Sequence, residues 1–182
     1  MKHKTTKLPT PLSKTVTCHL NRKLAMPELR DNKILYTLSD LEPLAAANQI
    51  IDGSKGGLIL GNTHAEGGIK VIRQYSNEEL YEVIAEFEGW EYILNPFTTS
   101  KECEILTKIN SEFVGSKETF LEFEIPEGVD ILDTRTAFEK RKDLNKLILL
   151  GQYSQFIINK FSTKKHLTLL NELNRKGNVT LP

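Results

Sequence analysis

The chain predicts an α+β protein built on a duplicated β-hairpin–helix unit, forming a pseudo-twofold body with an extended basic N-terminal arm. Three observations carry that prediction. Residues 90–110 (WEYILNPFTTSKECEILTKIN) and 154–174 (SQFIINKFSTKKHLTLLNELN) align without a gap at an offset of 64, and seven of the 21 positions are identical. Unrelated segments would share roughly one or two. The apolar positions agree further, with Tyr92, Ile93 and Leu94 matching Phe156, Ile157 and Ile158, and Cys103, Ile105, Leu106 and Ile109 matching Leu167, Leu169, Leu170 and Leu173. Upstream, short alternating runs read as strands, so each unit is a hairpin with a helix packed on it. Two copies are too few for a solenoid, which needs about three. They are expected to pack face to face about a local twofold, sharing one core as a symmetric dimer does.

The elements follow in order. Residues 1–30 hold Pro9, Pro11 and Pro27 among Lys, Thr and Ser, and read as an extended arm. Ile34 to Thr37 reads as a short strand. Ser39 and Glu42 have capping-box spacing ahead of LEPLAAANQII, whose Leu41, Leu44, Ala45 and Ile51 share a helical face interrupted by Asn48, with Gly53 as the stop. Gly57 to Leu60 and Ile69 to Ile72 read as strands joined by the loop GNTHAEGG. Tyr81 to Phe87 and Trp90 to Leu94 read as strands turning near Gly89, the former alternating cleanly except at Ile84. Thr99 with Glu102 marks a second capping box, for a helix to about Phe113. In the second unit, Phe120 to Ile125 and Val129 to Leu132 are expected strands and Thr134 to Leu150 has mixed helical character. Gln152 to Ile158 is the matching strand, and Thr163 to Leu173 the matching helix, ended by Asn174 to Gly177. The division is therefore an arm (1–30), a first repeat with its N-terminal helix (31–114) and a second repeat (115–182).

With 182 residues and 39% apolar content, the chain is long enough for one well-formed core or two small coupled ones. No apolar run approaches the ~20 residues of a membrane span, and the lysine-bearing N-terminus lacks the apolar stretch of a signal peptide. We expect no membrane partner and no secretion by signal peptide. Cys18 and Cys103 make neither a disulfide framework nor a zinc site.

The formal net charge of zero hides an asymmetry: residues 1–30 carry Lys2, Lys4, Lys7, Lys14, Arg22, Lys23 and Arg30 against Glu28 alone, leaving 17 basic and 23 acidic residues in the remainder. Such a split marks a contact with nucleic acid or an acidic partner surface. The blander reading, an arm solvated or lying on its own acidic body, carries more weight, because the charges are diffuse and no aromatic residue interleaves them for base stacking.

The glycine loop is the best candidate site. It sets His64 and Glu66 beside Gly61, Gly67 and Gly68, where close backbone approach or positive φ is open. A histidine near a carboxylate and exposed amides can bind an anion or move a proton. A structural role, tying down a turn between two strands, is the stronger reading. Cys103 stands where the other copy has Leu167 and reads as a small buried hydrophobe. His166 lies on the helix face away from the leucines and reads as solvated, while His3 and His19 lack metal-ligand spacing. Trp90, the only tryptophan, reads as cover for a core edge ahead of a binding anchor. Asn95 with Asn159, and Asn110 with Asn174, recur at unit junctions, where Asn caps free backbone groups. No P-loop, dinucleotide fingerprint, nucleophile elbow or HExxH string occurs, so no catalytic residue, cofactor or metal is expected.

Across residues 56–110, GGLILGNTHAEGGI, then EFEGWEYILN, then Leu106, Ile109 and Asn110 resemble a motif of phage tail tape-measure proteins and of large polyvalent proteins of Bacteroidota phages and conjugative elements. That motif runs G-x-x-H-x-x-G-G-[IV], a spacer, E-x-E-G-G-E-x-[IV]-[IV]-N, and later L-x-x-I-N. Gly61, His64, Gly67, Gly68, Ile69, Glu86, Glu88, Gly89, Glu91, Ile93, Asn95 and Asn110 match it. Trp90 departs, standing where the family has its second glycine. The resemblance supplies no catalytic residue and implies a context: a phage or mobile-element protein located in a virion or the host cytoplasm, with other such proteins or itself as partners. The leading expectation is a non-enzymatic structural or interaction protein. The alternatives are a nucleic-acid-binding accessory protein acting through the arm, and a small hydrolase or transferase using His64, Glu66 and Cys103.

Overall fold

Alternating apolar residues in the strands feed separate cores, and this sets the layer order. The computed structural model describes residues 34–36, 41, 46–75, 80–114, 118–136, 145–151 and 153–179. Its elements are β1 (Leu35–Tyr36), β2 (Ala46–Asp52), β3 (Gly57–Leu60), a 3-10 turn (His64–Glu66), β4 (Ile69–Gln74), β5 (Tyr81–Phe87) and β6 (Tyr92–Ile93). After these come α1 (Pro96–Lys101), α2 (Cys103–Ser111), β7 (Ile131–Asp133), β8 (Lys146–Leu150), β9 (Ile157–Ile158) and α3 (Lys160–Val179). The fold is α+β, with a five-stranded sheet ordered β1-β5-β4-β8-β2 and a four-stranded sheet ordered β7-β3-β6-β9.

In β3, Leu58 faces the helices and Ile59 the other sheet; Tyr92 and Ile93 in β6, and Ile158 and Ile157 in β9, divide in the same way. The middle core thus lies between the sheets, built from Ile59, Ile69, Val71, Phe87, Ile93, Ile148 and Ile157 among others. A second core joins the four-stranded sheet to α2 and α3 through Leu58, Tyr92, Leu106, Ile109, Leu167 and Leu170. The far face of the five-stranded sheet gathers Ile72 and Leu147 around Leu41. Each fully buried Leu or Ile here contributes on the order of 2 kcal/mol.

Several expected elements take another form. Residues 46–52 are a strand where a helix is expected, because Ile50, Ile51 and Asp52 pair in parallel with Leu147, Ile148 and Leu149 of β8. β8 itself falls where helical character is expected; it also pairs in parallel with β4, so it is a buried central strand, and its continuous apolar run suits that place. The strands around Gly89 are not a hairpin, since β5 pairs with β1 and β4 while β6 pairs with β3 and β9. Residues 120–125 form no strand, and among the described residues 118–136 the only strand is β7, parallel to β3, so the hairpin of the first unit has no counterpart there. The second strand shrinks to Ile157–Ile158. The arm, the Ser39–Glu42 capping box, and Leu44 and Ala45 lie outside the described residues.

The strand–helix portions do correspond. β6 and β9 pair antiparallel, with Ile93 opposite Ile157, its own match at the offset of 64, and Tyr92 opposite Ile158. The converse pair is joined by the Leu94 amide donating to the Phe156 carbonyl at 2.9 Å. Thr98 Oγ1 donates to Leu173 O at 3.0 Å, and Ser162 Oγ donates to Ile109 O at 2.8 Å, the same contact with the halves exchanged. The helices differ in one respect: the first breaks at Glu102 (φ −110, ψ 19), whereas α3 is continuous through 20 residues, passing the expected stop at Asn174 to Gly177.

Candidate interaction site at the glycine loop

The loop from Gly61 to Gly68 leaves β3 and folds on itself. Thr63 precedes the 3-10 turn, and Glu66 Oε2 accepts from both its amide (2.9 Å) and its hydroxyl (2.8 Å). These bonds hold the Glu66 carboxyl below the usual carboxylate range. Gly67 (φ 101) and Gly68 (φ 63) then reverse the chain, with the Gly68 amide donating to Thr63 O at 2.9 Å. A side chain on Gly68 would collide with Glu86.

Glu86, projecting from β5, accepts from two sides. Its Oε1 lies 2.9 Å from His64 Nδ1, and its Oε2 meets Lys70 Nζ. Burial pushes this carboxyl upward, but the hydrogen bonds and charges of Lys70 and His64 outweigh burial and leave it lowered.

The second half of the motif is wedged against the first. Gly89 donates from its amide to Asn62 O at 3.0 Å, and a Cβ on Gly89 would strike the Gly61 carbonyl, so this crossing needs glycine at 89. Glu91 Oε2 accepts from the Glu88 amide at 3.1 Å, closing the turn, while the buried Glu88 carboxylate takes Lys160 Nζ of α3 at 3.1 Å. Trp90 sits between them at φ 73, the only non-glycine residue with positive φ among those described. Its amide donates to Ile59 O at 2.7 Å, and its ring lies 4.9 Å from that of Phe123.

Asn95 ends the motif and begins the helical layer. Its Oδ1 accepts the Thr98 amide at 2.8 Å, making Asn95 the N-cap of α1 in place of the expected Thr99. Its amide and Nδ2 both donate to Asn174 Oδ1, at 2.7 and 2.9 Å, and Nδ2 also reaches Asn174 O at 2.6 Å. Asn159 repeats the arrangement on Asn110 with bonds of 2.8, 2.7 and 2.9 Å. The four asparagines therefore form two brackets, Asn95 after β6 on Asn174 within α3, and Asn159 after β9 on Asn110 within α2.

Sequence reasoning missed the residues beneath the loop. Asn145 is buried; its Nδ2 donates to Gly68 O (3.1 Å), and its Oδ1 accepts from the Asn62 amide (3.1 Å) and from Thr134 Oγ1 (3.2 Å). Thr134, fully buried, also donates from Oγ1 to Leu60 O at 2.7 Å. The sole hint is a polar residue directly before β8.

His166 is half-buried, contrary to its expected solvation, with Nε2 3.0 Å from Glu112 Oε2. Cys103 packs against the helical core but is half-buried and disulfide-bonded, which corrects the expected free, buried thiol. Among the described residues no group of three His, Cys, Asp or Glu is arranged to hold a metal ion, and no helix is long and apolar enough to cross a membrane. Lys2, Lys4, Lys7, Lys14, Arg22, Lys23, Arg30, His3, His19 and Cys18 lie outside the described residues. No family model, curated protein or solved structure matches this chain.

Proposed function

We infer that the chain is a non-enzymatic phage or mobile-element protein, whose body arose by duplication of a strand–helix unit and serves protein–protein contacts in or with a particle. The observation that carries this reading is the engagement of the motif side chains by partners within this chain. His64 is tied to Glu86, Glu66 to Thr63, Glu88 to Lys160, Glu91 to the Glu88 amide, and Asn95 to Asn174. A motif whose side chains are spent on holding its own fold is an architectural device, which agrees with the resemblance to tape-measure and polyvalent proteins. The reciprocal asparagine brackets at one common offset support the duplication.

Mass spectrometry of purified particles from the producing cells tests this directly, with the protein expected at a fixed copy number per particle. A substrate turnover that disappears in His64→Ala would overturn it. The charge split between arm and body favours a second reading, nucleic-acid binding through Lys2, Lys4, Lys7, Lys14, Arg22, Lys23 and Arg30. That reading predicts affinity that falls steeply with salt and vanishes when residues 1–30 are removed; salt-insensitive binding would eliminate it.

A further inference from the structure

We propose that Cys103 is the body end of a reversible disulfide to Cys18, which tethers the basic arm beside α2 and makes the reach of that arm depend on redox state. The inference goes beyond the protein-contact reading and does not need it. Cys103 is disulfide-bonded, and no described cysteine carries a free thiol. The chain has two cysteines, Cys18 and Cys103, so within one molecule the partner is Cys18. The local backbone suits such a bond. At the matching position of the other unit, Leu167 lies inside the unbroken α3 and is 4% exposed. The first unit instead breaks its helix at Glu102, and Cys103 opens α2 half-buried at the edge of the helical core, within reach of a segment arriving from outside it.

Forming the bond is a two-electron oxidation. The two thiols give up their protons and two electrons to a small disulfide such as oxidised glutathione, which leaves as two thiols, and a dithiol reductant reverses the exchange. The bond persists in an oxidising compartment and opens in a reducing cytosol. Closed, it divides the arm, with Lys2, Lys4, Lys7 and Lys14 on the free side and Arg22, Lys23 and Arg30 in the span that returns to the body. Opened, it frees all seven basic residues to act together. A partner that reads those charges therefore meets a longer arm in the reduced chain.

The test equilibrates the full chain in a glutathione redox buffer, blocks residual thiols with N-ethylmaleimide and digests it with trypsin. Mass spectrometry is expected to find residues 15–22 (TVTCHLNR) linked to residues 102–108 (ECEILTK), and dithiothreitol to split the pair. Both cysteines carrying maleimide or glutathione instead, or a Cys103 to Cys103 link between two copies, overturns the proposal. The tether itself is read by brief digestion of the intact protein, where cleavage after Arg22 and Lys23 is expected to run about five-fold faster in the reduced chain than in the oxidised one. Cys18→Ser, which leaves Cys103 and the three cores unchanged in sequence, is expected to match the reduced rate with or without dithiothreitol. Equal rates in the two redox states, or a Cys18→Ser chain that still responds to dithiothreitol, refute the tether. A linked pair in a protein absent from particles would overturn the proposed function and leave the tether standing.

Discussion

Trp90 holds a left-handed backbone conformation, φ 73, that suits glycine. The strain of this left-handed turn, roughly 1 kcal/mol, is offset by ring contacts with Phe120 and Phe123. Replacing Trp90 therefore reverses a usual order. Trp90→Ala loses the ring and keeps the strain, whereas Trp90→Gly loses the ring and relieves it, so urea denaturation is expected to find the glycine variant more stable by about 1 kcal/mol. The asparagine brackets are the other residue-scale device. Asn95→Ala removes a helix cap and leaves buried groups of Asn174 unpaired, for an expected loss of about 3 kcal/mol. A double-mutant cycle with Asn174→Ala should return a coupling of about 1–2 kcal/mol; additivity would mean that the bracket is incidental.

At the scale of elements, α3 illustrates why local signals mislead. Gly177 reads as a helix stop, yet it lies inside the helix, buried where α3 meets α1, and a Cβ there would collide with Thr98 Oγ1 and press on Asn95. Helix propensity alone favours alanine by about 1 kcal/mol. The expected result of Gly177→Ala is the opposite sign, a lowered melting temperature, and a raised one would contradict the close crossing. Glu112, just beyond α2, clamps that helix to α3. Hydrogen bonds from His166, then from Lys165, hold its carboxyl down at about 2. A lowered folded value gives stability that is complete above the unfolded carboxylate value, about 4.3, and is lost as pH falls through the folded one. Glu112→Gln should thus melt below the natural chain at pH 5, with the difference closing as pH approaches 2. A constant difference across that range would show that the clamp does not act through charge.

For the whole molecule, Asn145 is the residue through which one sheet fixes the other, since it precedes β8 of the five-stranded sheet and bonds Gly68 O, the Asn62 amide and Thr134 around the end of β3. Asn145→Ala deprives the buried Gly68 carbonyl and the half-buried Asn62 amide of this partner. An expected loss of about 2–3 kcal/mol, with faster amide exchange across residues 61–68, distinguishes this keystone from a local loop contact that would leave exchange unchanged.

The sequence by itself determined the α+β class, the strands β3, β4 and β5, and the correspondence of residues 90–110 with 154–174, because alternation, turn residues and a fixed offset are local signals. It also picked out Gly67 and Gly68, whose positive φ favours glycine, together with Gly61, His64, Gly89, Trp90 and Asn95. Tertiary structure alone decided that residues 46–52 and 146–150 are strands, since only the central place of β8 supplies the pairing that overrides a helical pattern. It alone decided which asparagine meets which, that Gly177 opens a helix crossing, and that Asn145 lies beneath the glycine loop. Those partners are 49 to 83 residues apart in the chain, from Asn110 with Asn159 to Asn62 with Asn145, and no local pattern encodes a contact over that separation.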